Sequence, residues 1–314
     1  MTKNPPAIVS DKHPALSLII IMAFVGIGFV LVGPLIGMLV ASTFYDGSLM
    51  VDMLDPNPDP SVAIPLLVVQ GFSTLIGLIV LPVVYVNMIE ARSVAKLMTE
   101  ERDLKTYFVL FVLGVCFMVT ISPVVEWNMH VQFPDFLKSF EDWAREKEDQ
   151  LIGVTNLLTG FTDFGQFSLS LIVIALLPAI GEELVFRGLI QNEIQRGTKN
   201  AHMAIWGAAI LFSAIHMQFF GFVPRMLLGA MFGYLYWWSG NLLIPMIAHF
   251  VHNGFTLTML YLYNIGAVGV NMDEEDAAPM LAVVVCTMIT SALLFYLYKY
   301  FNSQKTIDEP NSTI

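Results

Sequence analysis

The sequence predicts an all-α polytopic membrane protein, a bundle of about eight transmembrane helices around an intramembrane cavity. Three observations carry this. The chain is 56% apolar and only 13% charged, with a mean hydropathy of +0.69, whereas water-soluble domains hold about 45–50% apolar and about 25% charged residues. Apolar runs long enough to cross roughly 30 Å of hydrocarbon recur along it. The few ionisable residues inside those runs crowd into the second half of the chain. The 314 residues are therefore read as one membrane domain, not as two soluble ones. A net charge of -11 argues against a nucleic-acid partner, which needs a basic face. Both cysteines, Cys116 and Cys286, fall in apolar runs, so no disulfide framework or thiolate metal site is implied.

Residues 1–14 are polar and proline-containing, an N-terminal cytoplasmic segment; the apolar run after them is too long for a cleavable signal and is expected to remain as the first span. The spans are expected at 15–42, 62–88, 106–126, 166–194, 201–217, 221–239, 241–263 and 278–301, the fifth being short and forming a hairpin with the fourth that turns near 197–200. With the N-terminus in the cytoplasm, Lys3, Lys12, Arg92, Lys96, Arg102, Lys105, Arg196, Lys199, Lys299 and Lys305 fall inside, and only Lys138, Arg145 and Lys147 outside. That bias places both termini in the cytoplasm.

Residues 15–163 thus hold three spans and one long extracytoplasmic loop. In that loop Phe136, Leu137, Phe140, Trp143 and Ala144 share one face of an amphipathic helix, read first as a connector resting on the headgroups and second as a lid. Residues 164–263 form the polar core, 264–301 a loop and the last span, and 302–314 a polar tail.

Charge within a span costs at least about 2.5–3.5 kcal/mol and needs a partner, water or a function. The fourth span holds Glu182, Glu183 and Arg187. Glu183 and Arg187, four apart, can pair on one face, while Glu182 lies about 100° round the helix and faces elsewhere. The fifth span carries His216; the seventh carries His249, His252 and Asn253, with His249 and Asn253 on one face. Glu182 and His216 each stand 17 residues from Lys199 (199 - 182 and 216 - 199), so an antiparallel hairpin brings them level. His249 lies eight residues past Asn241, about 12 Å along its helix. The cavity is accordingly placed at mid-membrane or in its cytoplasmic half. A lone membrane histidine is usually a packing residue; five polar groups converging from three helices point to a functional site. Arg225 is the other arginine inside a span.

In these three stretches the chain resembles the CAAX protease and bacteriocin-processing (CPBP, or Abi) family of intramembrane proteases, which includes the type II CAAX prenyl endopeptidases. The family pattern is E-E-x-x-x-R, F-x-x-x-H and H-x-x-x-N; this chain has Glu182-Glu183 with Arg187, Phe212 with His216, and His249 with Asn253, in that order. The resemblance spans roughly residues 164–263 and leaves the first three spans unmatched. It implies an endopeptidase acting on a membrane-embedded or lipid-modified peptide, by CAAX-type or bacteriocin-leader processing. Glu182 and His216 would activate water, His249 and Asn253 would hold the oxyanion, and Glu183 and Arg187 would support them. A general base and preorganised donors are what amide hydrolysis requires. Glu182, His216, His249 and Asn253 are also the set that would hold Zn²⁺, but the His-Glu-x-x-His arrangement is absent and no cofactor is expected. A proton-coupled transporter is the main alternative, since intramembrane Glu and His mark proton relays; a catalytically silent scaffold or immunity factor is the third. The expected location is the inner membrane of a bacterium.

Overall fold

The computed structural model describes residues 12–52, 58–90, 93–98, 103–269 and 277–307, without the side chains of 305–307. The expected N-terminal segment up to Asp11, the acidic stretch Asp273 to Asp276, Arg92, Arg102 and residues 308–314 lie outside the described residues.

Among the described residues the chain is helical, with no strand. The long helices are α1 (Pro14–Ala41), α2 (Pro60–Ile89), α3 (Leu104–Met129), α4 (Lys138–Thr159), α5 (Phe164–Thr198), α6 (Ala201–Ala214), α7 (Phe219–Ser239), α8 (Leu243–Asn264) and α9 (Met280–Gln304). Seven of them, all but α4 and α6, are long and apolar enough to cross a membrane. The expected eight spans are thus seven and a shorter helix: α6 stops at Ala214 instead of running to 217, because the chain reverses through Met217 at φ 55°.

Side-chain caps start the helices where the sequence changes character. Asp59, Asp103, Asp163 and Asn200 accept hydrogen bonds from the backbone N–H groups of Ser61, Thr106, Gly165 and Met203 at 2.8, 3.0, 2.8 and 3.1 Å. Lys199, at φ 56°, makes the tight reversal between α5 and α6, close to the expected turn.

Prolines shape the helix interiors. The helical turns over Ile27–Val32, Leu75–Val80 and Leu171–Leu176 are widened to π geometry, and each ends two residues before a proline: Pro34, Pro82 and Pro178. A proline has no N–H to donate and its ring crowds the carbonyl four residues back, so the ladder opens there.

The α1–α2 pair packs backbone to backbone. A Cβ placed on Gly28, Gly33 or Gly37 would come within 2.6 Å of the α2 backbone, at Gly77, Ser73 and Val69. A second core, of Val185, Phe186, Leu189, Phe212 and Tyr236, joins α5, α6 and α7.

The helix expected in the long loop is α4, but its register differs: Phe136 lies before it in a short helical turn and is 83% exposed, while Ala144 is fully buried. Phe140 and Trp143 pack on Phe219 with ring centroids 5.2 and 5.5 Å apart, and the Arg145 guanidinium sits 4.1 Å over Phe220. The helix therefore covers the α6–α7 turn and does more than connect spans. That turn has backbone groups to satisfy at membrane depth, and its neighbours do so: Phe220 N–H donates to Glu148 Oε2 at 3.4 Å and Val223 N–H to Asn128 Oδ1 at 2.8 Å.

Candidate active site

Glu182 and Glu183 lie at the end of the turn after Pro178, and the widened segment Leu184–Gln191 follows them. Such π segments occur often at functional sites. The two carboxylates have different surroundings. Glu183 is wholly buried; its Oε1 accepts from Arg187 Nη1 at 2.7 Å and from His249 Nδ1 at 2.9 Å. Glu182 keeps 14% of its side chain exposed and holds Oε2 3.8 Å from His249 Nε2.

Arg187 is spent on structure. Its Nη2 donates to the Gly229 carbonyl at 2.8 Å, and the guanidinium lies between the rings of Phe212 and Phe232, 4.6 and 5.4 Å from their centroids. Four and five residues further along, Gln191 Nε2 donates to the Gly233 carbonyl at 3.2 Å and Asn192 Nδ2 to the Tyr236 hydroxyl at 3.0 Å. Glycine at 229 is needed: a Cβ there would meet Phe212 Cδ1 at 3.0 Å and Arg187 Nη2 at 3.2 Å.

His249 is 3% exposed and is stacked on Phe232, centroids 5.0 Å apart and planes 21° apart. Its tautomer follows from its neighbours. A carboxylate only accepts, so Nδ1 carries the proton given to Glu183, and Nε2 accepts from Asn253 Nδ2 at 3.2 Å. The Asn253 amide is oriented by a second bond, Nδ2 to the Ile174 carbonyl at 3.3 Å. Ile174 is the residue four before Pro178, the carbonyl that the proline leaves without its usual donor. In this arrangement Asn253 has committed both N–H bonds, so the expected pair of oxyanion donors is assembled but engaged.

His216 joins the cluster across Phe212, whose ring centroid lies 5.1 Å from its own and 6.1 Å from that of His249. Its Nδ1 donates to the Phe212 carbonyl at 2.7 Å, which fixes the proton there and leaves Nε2 as the acceptor. His252 faces away from these bonds, with Nδ1 buried and unpartnered among the described residues.

All six motif residues are thus gathered at one place. Sequence reading missed Phe232, Gly229 and Ile174; the four-residue spacing of Gly229 and Gly233 opposite Arg187 and Gln191 was the available signal. A zinc site needs at least three protein ligands. Among the described residues no three His, Cys, Asp or Glu side chains are grouped to hold a metal, and His249 has both nitrogens engaged, so the donors as placed do not fit one.

Residues 164–255 match the family described as type II CAAX prenyl endopeptidase Rce1-like. The chain is also 33% identical over 85 residues to the uncharacterized protein YpbD of Bacillus subtilis (strain 168), a match covering 26% of this chain and 40% of that protein. No solved structure matches. The chain spans less than half the length of the Bacillus subtilis relative, and the family match lies across α5, α6, α7 and the first half of α8, the elements that gather the six polar residues, so this core of an integral membrane protein is similar to the Rce1-like CAAX-type family.

Proposed function

We propose that the protein is an intramembrane endopeptidase that hydrolyses a peptide bond of a membrane-embedded or lipid-modified substrate with water activated by Glu182 and His216. The observation that carries this is the division between two adjacent carboxylates: Glu183 is hydrogen-bonded to Arg187 and His249, while Glu182 is partly exposed, 3.8 Å from His249 Nε2 and hydrogen-bonded to neither. Glu182 takes the proton from a water whose oxygen attacks the substrate carbonyl carbon, with His216 Nε2 accepting that water's other hydrogen bond. A proton delivered to His249 Nε2, which faces Glu182, makes it a donor and releases the Asn253 N–H it had engaged. The two then point at the developing oxyanion, and cleavage of the C–N bond returns a proton to the leaving amine. Glu183 and Arg187 hold His249 in register throughout. Every step uses side chains alone, so no metal is required. The basic residues favour an inner-membrane orientation with both termini in the cytoplasm.

The test is cleavage of membrane peptides by the purified protein in vesicles. Glu182→Gln keeps the shape and removes the base, so hydrolysis should fall at least about 10²-fold at unchanged abundance, and exhaustive chelation should leave wild-type activity intact. Wild-type rates in Glu182→Gln would end the assignment of the base; chelator inactivation reversed by Zn²⁺ would end the metal-free one.

A further inference from the structure

Two arginines lie inside spans, and the chemistry above uses only Arg187. Arg225, in α7, is left over. Its Nη2 donates to Gln218 Oε1 at 2.5 Å, but Nη1 is shut from solvent with no hydrogen-bond partner among the described residues. The guanidinium rests over Gly221, where a Cβ would lie 3.2 Å from Nη2 and 3.4 Å from Nη1. It stands within electrostatic reach of Glu148 on α4 and Glu182 on α5, and His216 feels its charge as well. Glu183 and Arg187 cancel by contact; Glu182 and Arg225 feel each other's charge without an ion pair, and a buried donor left unmatched is costly. Something that accepts a hydrogen bond belongs in the gap at Arg225 Nη1.

What adjoins this gap suggests the rest. Gln218, the residue holding Arg225, also lines a cavity of about 490 Å³ with Phe133, Phe140, Met217, Phe219 and Phe222. Ala214 and Met217 line it on either side of His216 in the chain, so the cavity adjoins the turn that carries that imidazole. Its wall is carbon apart from the Gln218 amide and the Ser213 hydroxyl, and the latter is spent on the Phe222 carbonyl at 2.7 Å.

We propose that Arg225 is a substrate-anchoring residue: its Nη1 receives an acceptor oxygen of the bound peptide beside the scissile bond, a carboxylate or a carbonyl, while the cavity next to Gln218 takes the adjoining large apolar side chain. This rests on the reading of the site as a peptide hydrolase. It adds a cation within electrostatic reach of Glu182 that fixes where the substrate lies, and it gives α4 a role, since Phe140 lines the cavity.

The experiment measures binding of radiolabelled N-acetyl-trileucine, as free acid and as carboxamide, to the full-length protein in phosphatidylcholine nanodiscs. Arg225→Gln should weaken binding at least about tenfold, as loss of a charge-assisted hydrogen bond does, with Arg225→Lys recovering part of it. Preference for the acid, lost in Arg225→Gln, identifies a carboxylate; equal losses for acid and amide identify a carbonyl oxygen. Unchanged affinity in Arg225→Gln overturns the proposal, as does absence of binding to the wild type. If Arg225→Gln and Glu148→Gln lower the unfolding temperature equally and non-additively while affinity stays constant, Arg225 is only a counter-ion for α4, and the proposal is likewise overturned. A wild type that binds but never cleaves would sink the hydrolase reading and leave the anchor standing.

Discussion

The α1–α2 pair and the α5–α7 pair solve one problem in two ways. Helices in lipid gain nothing from the hydrophobic effect between them and associate through close packing or hydrogen bonds. In the first pair, Gly28, Gly33, Gly37 and Gly77 let backbones touch, and the atoms that a Cβ would meet at these glycines belong to no ionisable side chain. In the second, Arg187, Gln191 and Asn192 reach across to Gly229, Gly233 and Tyr236. The first joint is tight and chemically inert. The second tolerates charge because its cation and amide N–H groups meet acceptors, although Glu183 Oε2 and Gln191 Oε1 have no hydrogen-bond partner among the described residues, and it is there that a carboxylate, Glu183, is buried completely and still orients His249. The difference shows where reactive groups can be kept in a membrane: beside a hydrogen-bonded joint.

This contrast can be broken at four points, the largest effect first. Arg187→Ala strands Glu183 as an unpaired buried carboxylate and should cost about 3–5 kcal/mol, read as a loss of folded protein and a lower unfolding midpoint in detergent. A variant of wild-type stability would show that the second joint does not depend on its ion pair. Asn253→Ala should instead leave folding near normal and reduce turnover roughly 10²- to 10³-fold, as loss of an oxyanion donor does; comparing activity per folded molecule checks it. Gly77→Ala acts on the inert joint, where the new methyl would lie 2.5 Å from Phe29 N. Overpacking of this kind costs about 1–3 kcal/mol, and turnover per folded molecule should not change; a specific loss of turnover would tie the first pair to catalysis.

The smallest effect concerns α4. Arg145 beside Glu141, helped by Phe133 N–H and Lys138, holds the Glu141 carboxyl below the ordinary carboxylate range. A depressed folded-state value stabilises above the unfolded pKa of about 4.3, and that stabilisation is lost as pH falls through the lower folded value. The hydrogen-exchange protection factors across 138–159, corrected for the intrinsic pH dependence of amide exchange, should therefore hold from neutral pH to about 5 and fall in stronger acid, and Glu141→Gln should reduce that acid dependence.

What the sequence disclosed was local. The Glu183–Arg187 spacing, the α5–α6 hairpin and the existence of an amphipathic helix all follow from periods of a few residues. What it withheld was long-range. Nothing in the spacing says that Glu183 bonds His249, 66 positions on, or that Asn253 spends a donor on Ile174, 79 positions back. The link through Pro178 is legible only once α5 and α8 are known to touch. The amphipathic face of α4 was visible, but its target, Phe219 and Phe220, depended on how far α6 runs, and apolar residues beyond Ala214 gave no sign of the reversal at Met217.

The brevity of α6 has a consequence for the surrounding lipid. Fourteen residues rise only about 21 Å, well short of a hydrocarbon core of about 30 Å, and Met203, Trp206, Ile210 and Leu211 stand exposed along it. A short apolar face is matched by thinning the adjacent leaflet, at a cost of fractions of a kcal/mol per ångström. Headgroups and their hydration are then drawn inward beside the end of α6, next to His216. Hydrophobic mismatch would in this way bring the co-substrate water to a site otherwise surrounded by hydrocarbon, and would make turnover depend on acyl-chain length, faster in short-chain bilayers and slower in thick ones.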